Sequence, residues 1–135
     1  MELILVSSPD SGRAAMAAAF FNALVIPSLA CSIAAVPDPH LPIQPLVRRA
    51  FELLPTGRPL LPPTRLTDEF GSCAGQIVHI GATPGSSPAR DEREVDWEIP
   101  DPTGEPIEGV VAIRDAIHAR VQALLQTRQW LRPGP

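Results

Sequence analysis

Residues 3–24 decide how the chain begins to fold, and they read LILVSSPDSGRAAMAAAFFNAL. The opening apolar run is typical of a buried strand in a parallel sheet. A short polar turn follows, which opens with Ser7 and closes with Arg13, and an alanine-rich segment comes directly after it. Ser11 or Asp10 can cap a helix that we predict to start near Gly12. The stretch therefore predicts a strand, a tight loop and a helix in immediate succession.

A strand–loop–helix junction of this kind favours anion binding. The first amide N–H groups of a helix have no intrahelical partner, and the helix dipole adds partial positive charge there. Arg13 adds a planar guanidinium that matches two oxygens of a tetrahedral oxyanion. The same spacing also fits a plain capped helix with a surface arginine, because short motifs often occur by chance. The loop by itself leaves both interpretations open.

The rest of the chain alternates apolar strands with helices. Further strands are predicted over residues 28–34, 76–80 and 94–99, and further helices over 44–54 and 108–130, with a short one within 66–74. This alternation predicts an α/β three-layer sandwich around a parallel sheet with the first strand in the centre. Ligands of such sheets bind at the carboxyl ends of the strands, where the Ser7–Arg13 turn falls.

Two segments outside these elements are predicted to have little regular structure. Residues 55–63 contain four prolines and are predicted to form a loop. Residues 82–93 are rich in Gly, Ser and Pro, and are predicted to be flexible. We expect one domain over residues 1–131 and a tail over 132–135.

Composition and charge exclude several functional classes. The chain has 135 residues and a formal net charge of −4, which disfavours non-specific nucleic-acid binding. Residues 15–36 are apolar but interrupted by polar residues and proline, so no membrane span is expected. Cys31 and Cys73 form no metal-ligand spacing. We expect two buried structural thiols in a cytoplasmic protein that has neither a metal nor a cofactor.

Three segments, in matching order, resemble the low-molecular-weight protein tyrosine phosphatase superfamily. Its pattern is an apolar strand, a Cys-x5-Arg loop and a helix, and the residues that match are Ser11, Arg13, Met16, Ala17 and Phe20. Residues 97–102, WEIPDP, resemble the Trp-x-x-Pro-Asp-Pro loop of the thioredoxin-coupled arsenate reductases within it. Residues 113–121 resemble the Arg-Asp-x-Ile helix of the same reductases. The resemblance implies a phosphotyrosine phosphatase I-like fold with a four-stranded sheet in the order 2-1-3-4.

The resemblance also implies a site. Ser7 stands at the position of the nucleophilic cysteine, Arg13 would hold the oxyanion, and Asp101 stands at the position of the general acid. The expected oxyanion-binding residues are Ser7, Ser8, Asp10, Ser11, Gly12 and Arg13. The expected ligand is a phosphate, arsenate or sulfate-like anion, and a protein partner is the other expectation.

Several departures from the superfamily pattern bear on activity. A serine hydroxyl at position 7 stays protonated and needs an adjacent base, and no histidine lies in a segment linked to the loop. Pro9 removes one backbone donor from the loop, and Asp10 brings a charge that repels an anion. The reductases carry a second cysteine in a Met-Cys-Asp stretch, where this chain has residues 80–82, Ile-Gly-Ala.

Three hypotheses follow from the sequence. The first is a catalytically degenerate protein, a pseudoenzyme, that retains a weak oxyanion-binding loop and has a binding or regulatory role. The second is an active phosphatase or arsenate reductase that uses Ser7, or such an enzyme whose cysteine was replaced to trap a ligand. Pro9, Asp10, Gly12 and Gly81 argue against a single replacement, since several positions differ together. The third is a scaffold subunit without a ligand.

Overall fold

The computed structural model describes residues 1–55, 60–81 and 92–133. Most of the segment predicted to be flexible, and the last two residues of the predicted tail, lie outside these ranges. The elements in chain order are β1 (Glu2–Ser7), α1 (Ser11–Leu24), β2 (Ala30–Val36), α2 (Pro45–Glu52), β3 (Thr64–Arg65), α3 (Asp68–Cys73), β4 (Gln76–Ile80), β5 (Glu94–Trp97) and α4 (Ile107–Arg128). The predicted alternation of strands and helices is confirmed.

The strands of the described residues form one parallel sheet in the order β3-β2-β1-β4-β5. The four longer strands have the predicted order, with β1 in the centre. The predicted number of four strands is wrong, because β3 adds a fifth strand beside Ala35 and Val36 of β2. A two-residue strand after a run of prolines is too short to show any hydrophobic periodicity.

Helices cover both faces of the sheet. Alternate residues of β1 point to opposite faces, so Ile4 and Val6 share one face, where they pack in the main core with residues of α1 and α4. Leu5 lies on the other face in a small cluster with Ile77. The helix α4 buries a stripe of apolar residues, which are Val110, Ile113, Ile117, Val121 and Leu125. None of the helices in the described part of the chain is both long and apolar enough to cross a membrane.

The two thiols lie far from the Ser7–Arg13 loop. Cys31 pairs with Leu3 of β1 and is half-buried, whereas Cys73 ends α3 and is exposed. The expectation of two buried thiols is therefore wrong, because Cys31 is only half-buried and Cys73 is exposed. The sequence cannot tell which way the last residue of a short helix faces. Leu3 and Ser7 are separated by about 13 Å along β1, at ~3.3 Å per residue. Both thiols thus lie toward the amino-terminal edge of the sheet.

Candidate functional site

The loop between β1 and α1 lies at the carboxyl edge of the sheet, as predicted. Ser7 is the last residue of β1 and is 6% exposed. Asp10 is the N-cap of α1, and its carboxylate accepts a hydrogen bond from the Arg13 amide. An N-cap of this type satisfies one of the free amides of the first helical turn. The predicted cap and the predicted start of the helix are both confirmed.

The hydroxyl groups of Ser8 and Ser11 bind the protein itself. Ser8 Oγ donates to the carbonyl oxygen of Asp10 and accepts a hydrogen bond of 3.1 Å from the Ala14 amide. Ser11 Oγ donates to the carbonyl oxygen of Leu41 at 2.8 Å. These two side chains, expected among the oxyanion ligands, hold the loop closed and attach it to the segment before α2.

Arg13 lies beneath the loop and is 3% exposed. Its Nε donates to Asp10 Oδ1 at 2.6 Å, and its Nη1 donates to the carbonyl oxygen of Ile99 at 2.6 Å. Asp10 Oδ2 accepts from the Arg13 amide at 3.0 Å. One carboxylate therefore binds both the backbone and the side chain of Arg13, and the guanidinium bridges from the start of α1 to the loop after β5.

Gly81 leaves the space that the Arg13 side chain fills. A Cβ atom at Gly81 would lie 2.0 Å from Arg13 Nη1, closer than any ordinary contact. Gly81 also has a φ of +65°, which side-chain-bearing residues rarely adopt. This is the position at which the arsenate reductase resemblance places a second cysteine. Because the Arg13 guanidinium fills this space, a cysteine side chain at position 81 would clash with it.

Several donors of the loop are free of the internal bonds just described. Within the described residues, the amides of Ser11 and Gly12 and the Nη2 group of Arg13 make no hydrogen bond. The two amides belong to the first turn of α1, where helical N–H groups have no intrahelical acceptor. These donors are the part of the predicted oxyanion site that remains available.

A cleft of about 290 Å³ opens beside the loop. Residues 9–12 form one wall, Leu41, Pro42 and Val47 form an apolar wall, and Asp101 and Thr103 close the third side. Ser7 and Arg13 do not line it. The ionisable side chains that line the cleft, Asp10 and Asp101, both carry carboxylates.

Asp101 lies at the rim of the cleft as an ionised carboxylate. Its Oδ1 accepts from the Thr103 amide at 2.9 Å and from Thr103 Oγ1 at 2.7 Å. These two hydrogen bonds, with a smaller contribution from the nearby Arg13 charge, lower the pKa of Asp101 below 3.8, and partial burial opposes them only weakly. At neutral pH this group therefore lacks the proton that a general acid donates.

The structure places a histidine beside Ser7, where the sequence indicated no base. His79 of β4 is the register partner of Ser7, so the two side chains emerge on the same face of adjacent strands. The Nε2 atom of His79 lies 2.8 Å from Glu94 Oε1. His79 was missed because 72 positions separate it from Ser7 in the chain. Only the register of two strands brings them together.

Within the described residues, no group of three or more His, Cys, Asp or Glu side chains could hold a metal ion.

Comparison with solved structures gives the same architecture. The arsenate reductase from Archaeoglobus fulgidus DSM 4304 superposes with a TM-score of 0.73 at 21% identity, over 93% of this chain and 99% of that one. A low-molecular-weight protein tyrosine phosphatase from T. tengcongensis gives 0.74 at 15% identity, over 94% and 99%. The chain has the fold of these enzymes. The YwlE arginine phosphatase from Geobacillus stearothermophilus, with a TM-score of 0.72 at 18% identity over 96% and 94%, shares this phosphatase fold.

At these identities the likeness establishes the fold. No family model and no curated protein matches the sequence. The shared fold confirms the three-layer architecture predicted from the sequence.

The contact between Gly81 and Arg13 predicts that Gly81→Ala destabilises the protein more than Gly104→Ala. Both glycines have positive φ, but a Cβ at Gly104 meets no atom within 4 Å. Gly104→Ala should cost about 1 kcal/mol from backbone strain alone. Gly81→Ala should cost roughly 2 to 3 kcal/mol more, because it also displaces a charged hydrogen-bond donor. Urea denaturation measures both, and equal losses would show that Arg13 moves aside freely.

The hydrogen bonds of Thr103 predict that Thr103→Val raises the pKa of Asp101 toward 3.8, whereas Thr103→Ser leaves it low. Carbon-13 NMR titration of the Asp101 carboxyl group measures the shift. Because folding lowers this pKa, the carboxylate stabilises the fold above pH 3.8 and loses that effect as the pH falls further. Identical titration curves for the Val and Ser variants would contradict the role of the hydroxyl.

Proposed function

We propose that this chain is a catalytically degenerate protein with the phosphatase fold, which binds an oxyanion weakly at the Ser7–Arg13 loop and acts by binding or regulation rather than by turnover. The observation that carries the proposal is the absence of sulfur from the candidate site. Position 7 is a serine, position 81 is a glycine whose space Arg13 fills, and Cys31 and Cys73 lie toward the other edge of the sheet.

Oxyanion binding is supported by the donors that remain free. The amides of Ser11 and Gly12 belong to the positive end of α1, where backbone N–H groups and the helix dipole favour anions. Arg13 Nη2 adds a charged donor. Asp10 and Asp101 oppose binding, since both place negative charge around the cleft. The balance supports weak binding of phosphate, arsenate or sulfate.

NMR titration with inorganic phosphate is expected to move the amide signals of Ser11 and Gly12, with a Kd in the millimolar range. Arg13→Lys keeps the charge but loses the planar guanidinium, so it should weaken binding several-fold without removing the positive charge beneath the loop. The protein should neither hydrolyse p-nitrophenyl phosphate nor reduce arsenate with a thioredoxin system. No binding at tens of millimolar phosphate, or measurable turnover, would refute the proposal.

A second candidate is a hydrolase that uses Ser7, and the position of His79 favours it. If His79 Nε2–H donates a hydrogen bond to Glu94 Oε1, the neutral ring leaves Nδ1 free to accept a proton. Ser7 lies opposite on the neighbouring strand and could give its proton to this nitrogen while its oxygen attacks the phosphorus of a phosphate ester. The bond to the ester oxygen breaks, the imidazolium returns the proton to that oxygen, and water then hydrolyses the phosphoserine. This arrangement would supply the base that a serine nucleophile requires.

The two candidates differ in what Ser7→Cys and His79→Gln do. For the degenerate protein, the wild type is inactive, and Ser7→Cys hydrolyses p-nitrophenyl phosphate only if the rest of the loop is intact. For the hydrolase, the wild type turns over, and His79→Gln or Ser7→Ala lowers kcat by at least about 100-fold. Ser72→Ala is the matched control, since Ser72 lies in α3 and its Oγ donates to the carbonyl oxygen of Asp68, outside the loop.

A further inference from the structure

We infer that Asp10 is a built-in ligand of the Ser7–Arg13 loop, so that an external oxyanion binds the Arg13 amide and the Nε group of Arg13 only when the Asp10 carboxylate leaves them. The inference rests on the proposed oxyanion-binding function and names the residue that regulates that site. Its basis is the set of donors that the carboxylate uses.

The Asp10 carboxylate takes the two kinds of donor that such a loop offers to an anion. One oxygen binds the Arg13 backbone amide at 3.0 Å, in the first turn of α1. The other binds the Arg13 guanidinium at 2.6 Å. A helix amide and an arginine side chain are also what a tetrahedral oxyanion would use here. The chain therefore supplies its own anion to the loop.

The surroundings of Arg13 determine which partner of the Asp10–Arg13 ion pair can move. The Arg13 side chain is 4% exposed and the Asp10 side chain 20% exposed, so water screens their attraction poorly. Nη1 is held by the Ile99 carbonyl oxygen, and Gly81 packs directly against it. Arg13 thus keeps its place, and the movable partner is the shorter, more exposed Asp10 side chain.

The charge of Asp10 acts against an incoming anion in two ways. It neutralises the guanidinium, and it adds a carboxylate to a cleft that already contains Asp101. Asparagine at position 10 would remove the charge while remaining a good N-cap for α1. Asp10→Asn therefore frees the Arg13 guanidinium without removing the cap.

The experiment is titration of the wild type and of Asp10→Asn with inorganic phosphate, followed by amide NMR and calorimetry at constant pH and ionic strength. We expect Asp10→Asn to bind phosphate at least about tenfold more tightly, a difference of ~1.4 kcal/mol. The matched control is Asp101→Asn, which removes a carboxylate from the same cleft but leaves the Asp10–Arg13 pair intact. The gain in phosphate affinity from Asp101→Asn should be clearly smaller than the gain from Asp10→Asn.

The outcomes separate this inference from the proposed function. If the wild type binds phosphate at the loop and Asp10→Asn binds no more tightly, the built-in ligand is refuted while oxyanion binding stands. If the two Asp→Asn variants gain equally, the effect is general repulsion and the inference is refuted. If no variant binds phosphate, the oxyanion function itself fails.

A second readout uses the wild type alone and does not depend on how any variant folds. At saturating phosphate, the side-chain Nε–H signal of Arg13 and the carboxyl signal of Asp10 should shift together, because their hydrogen bond breaks. Saturation of the Ser11 and Gly12 amides with both side-chain signals unchanged would overturn the inference.

Discussion

The structure of the candidate site depends on the buried guanidinium of Arg13. A buried arginine must have partners, because an unpaired charge away from water is very costly. Here the partners come from two distant parts of the chain: Asp10 at the start of α1 and the Ile99 carbonyl oxygen after β5. The same side chain therefore joins the β1–α1 loop to the loop that precedes α4, and it excludes any side chain at Gly81.

The loop between β1 and α1 is well formed because its own polar groups bind one another. Ser8, Asp10 and Ser11 use their side chains to bond the protein itself. Buried polar groups need hydrogen bonds whether or not a ligand is present. A loop that satisfies its own donors is stable without an anion, and an anion must then compete with those internal bonds. This competition is the physical basis of the weak binding that we propose.

The two residues nearest to a catalytic role show how environment decides chemistry. The resemblance predicts a general acid at Asp101, but two hydrogen bonds from Thr103 hold it as a carboxylate. His79 belongs to no recognisable motif, yet its register places it beside Ser7 with Glu94 at its far nitrogen. The sequence suggests a catalytic role for Asp101 and none for His79. Hydrogen bonding and strand register change both assessments.

The sequence by itself determined the alternation of strands and helices, the central position of β1, an N-cap at either Asp10 or Ser11, and the lack of a thiol at position 7. These features depend on local patterning and on residue identity, which can be read along the chain. Only the tertiary structure decided the fifth strand, the exposure of Cys73, the pairing of Arg13 with Asp10 and Ile99, and the contact of His79 with Glu94. The pairing of Arg13 depends on the path of one long side chain, and the position of His79 depends on strand register. Both are set by packing between segments that are distant in the sequence.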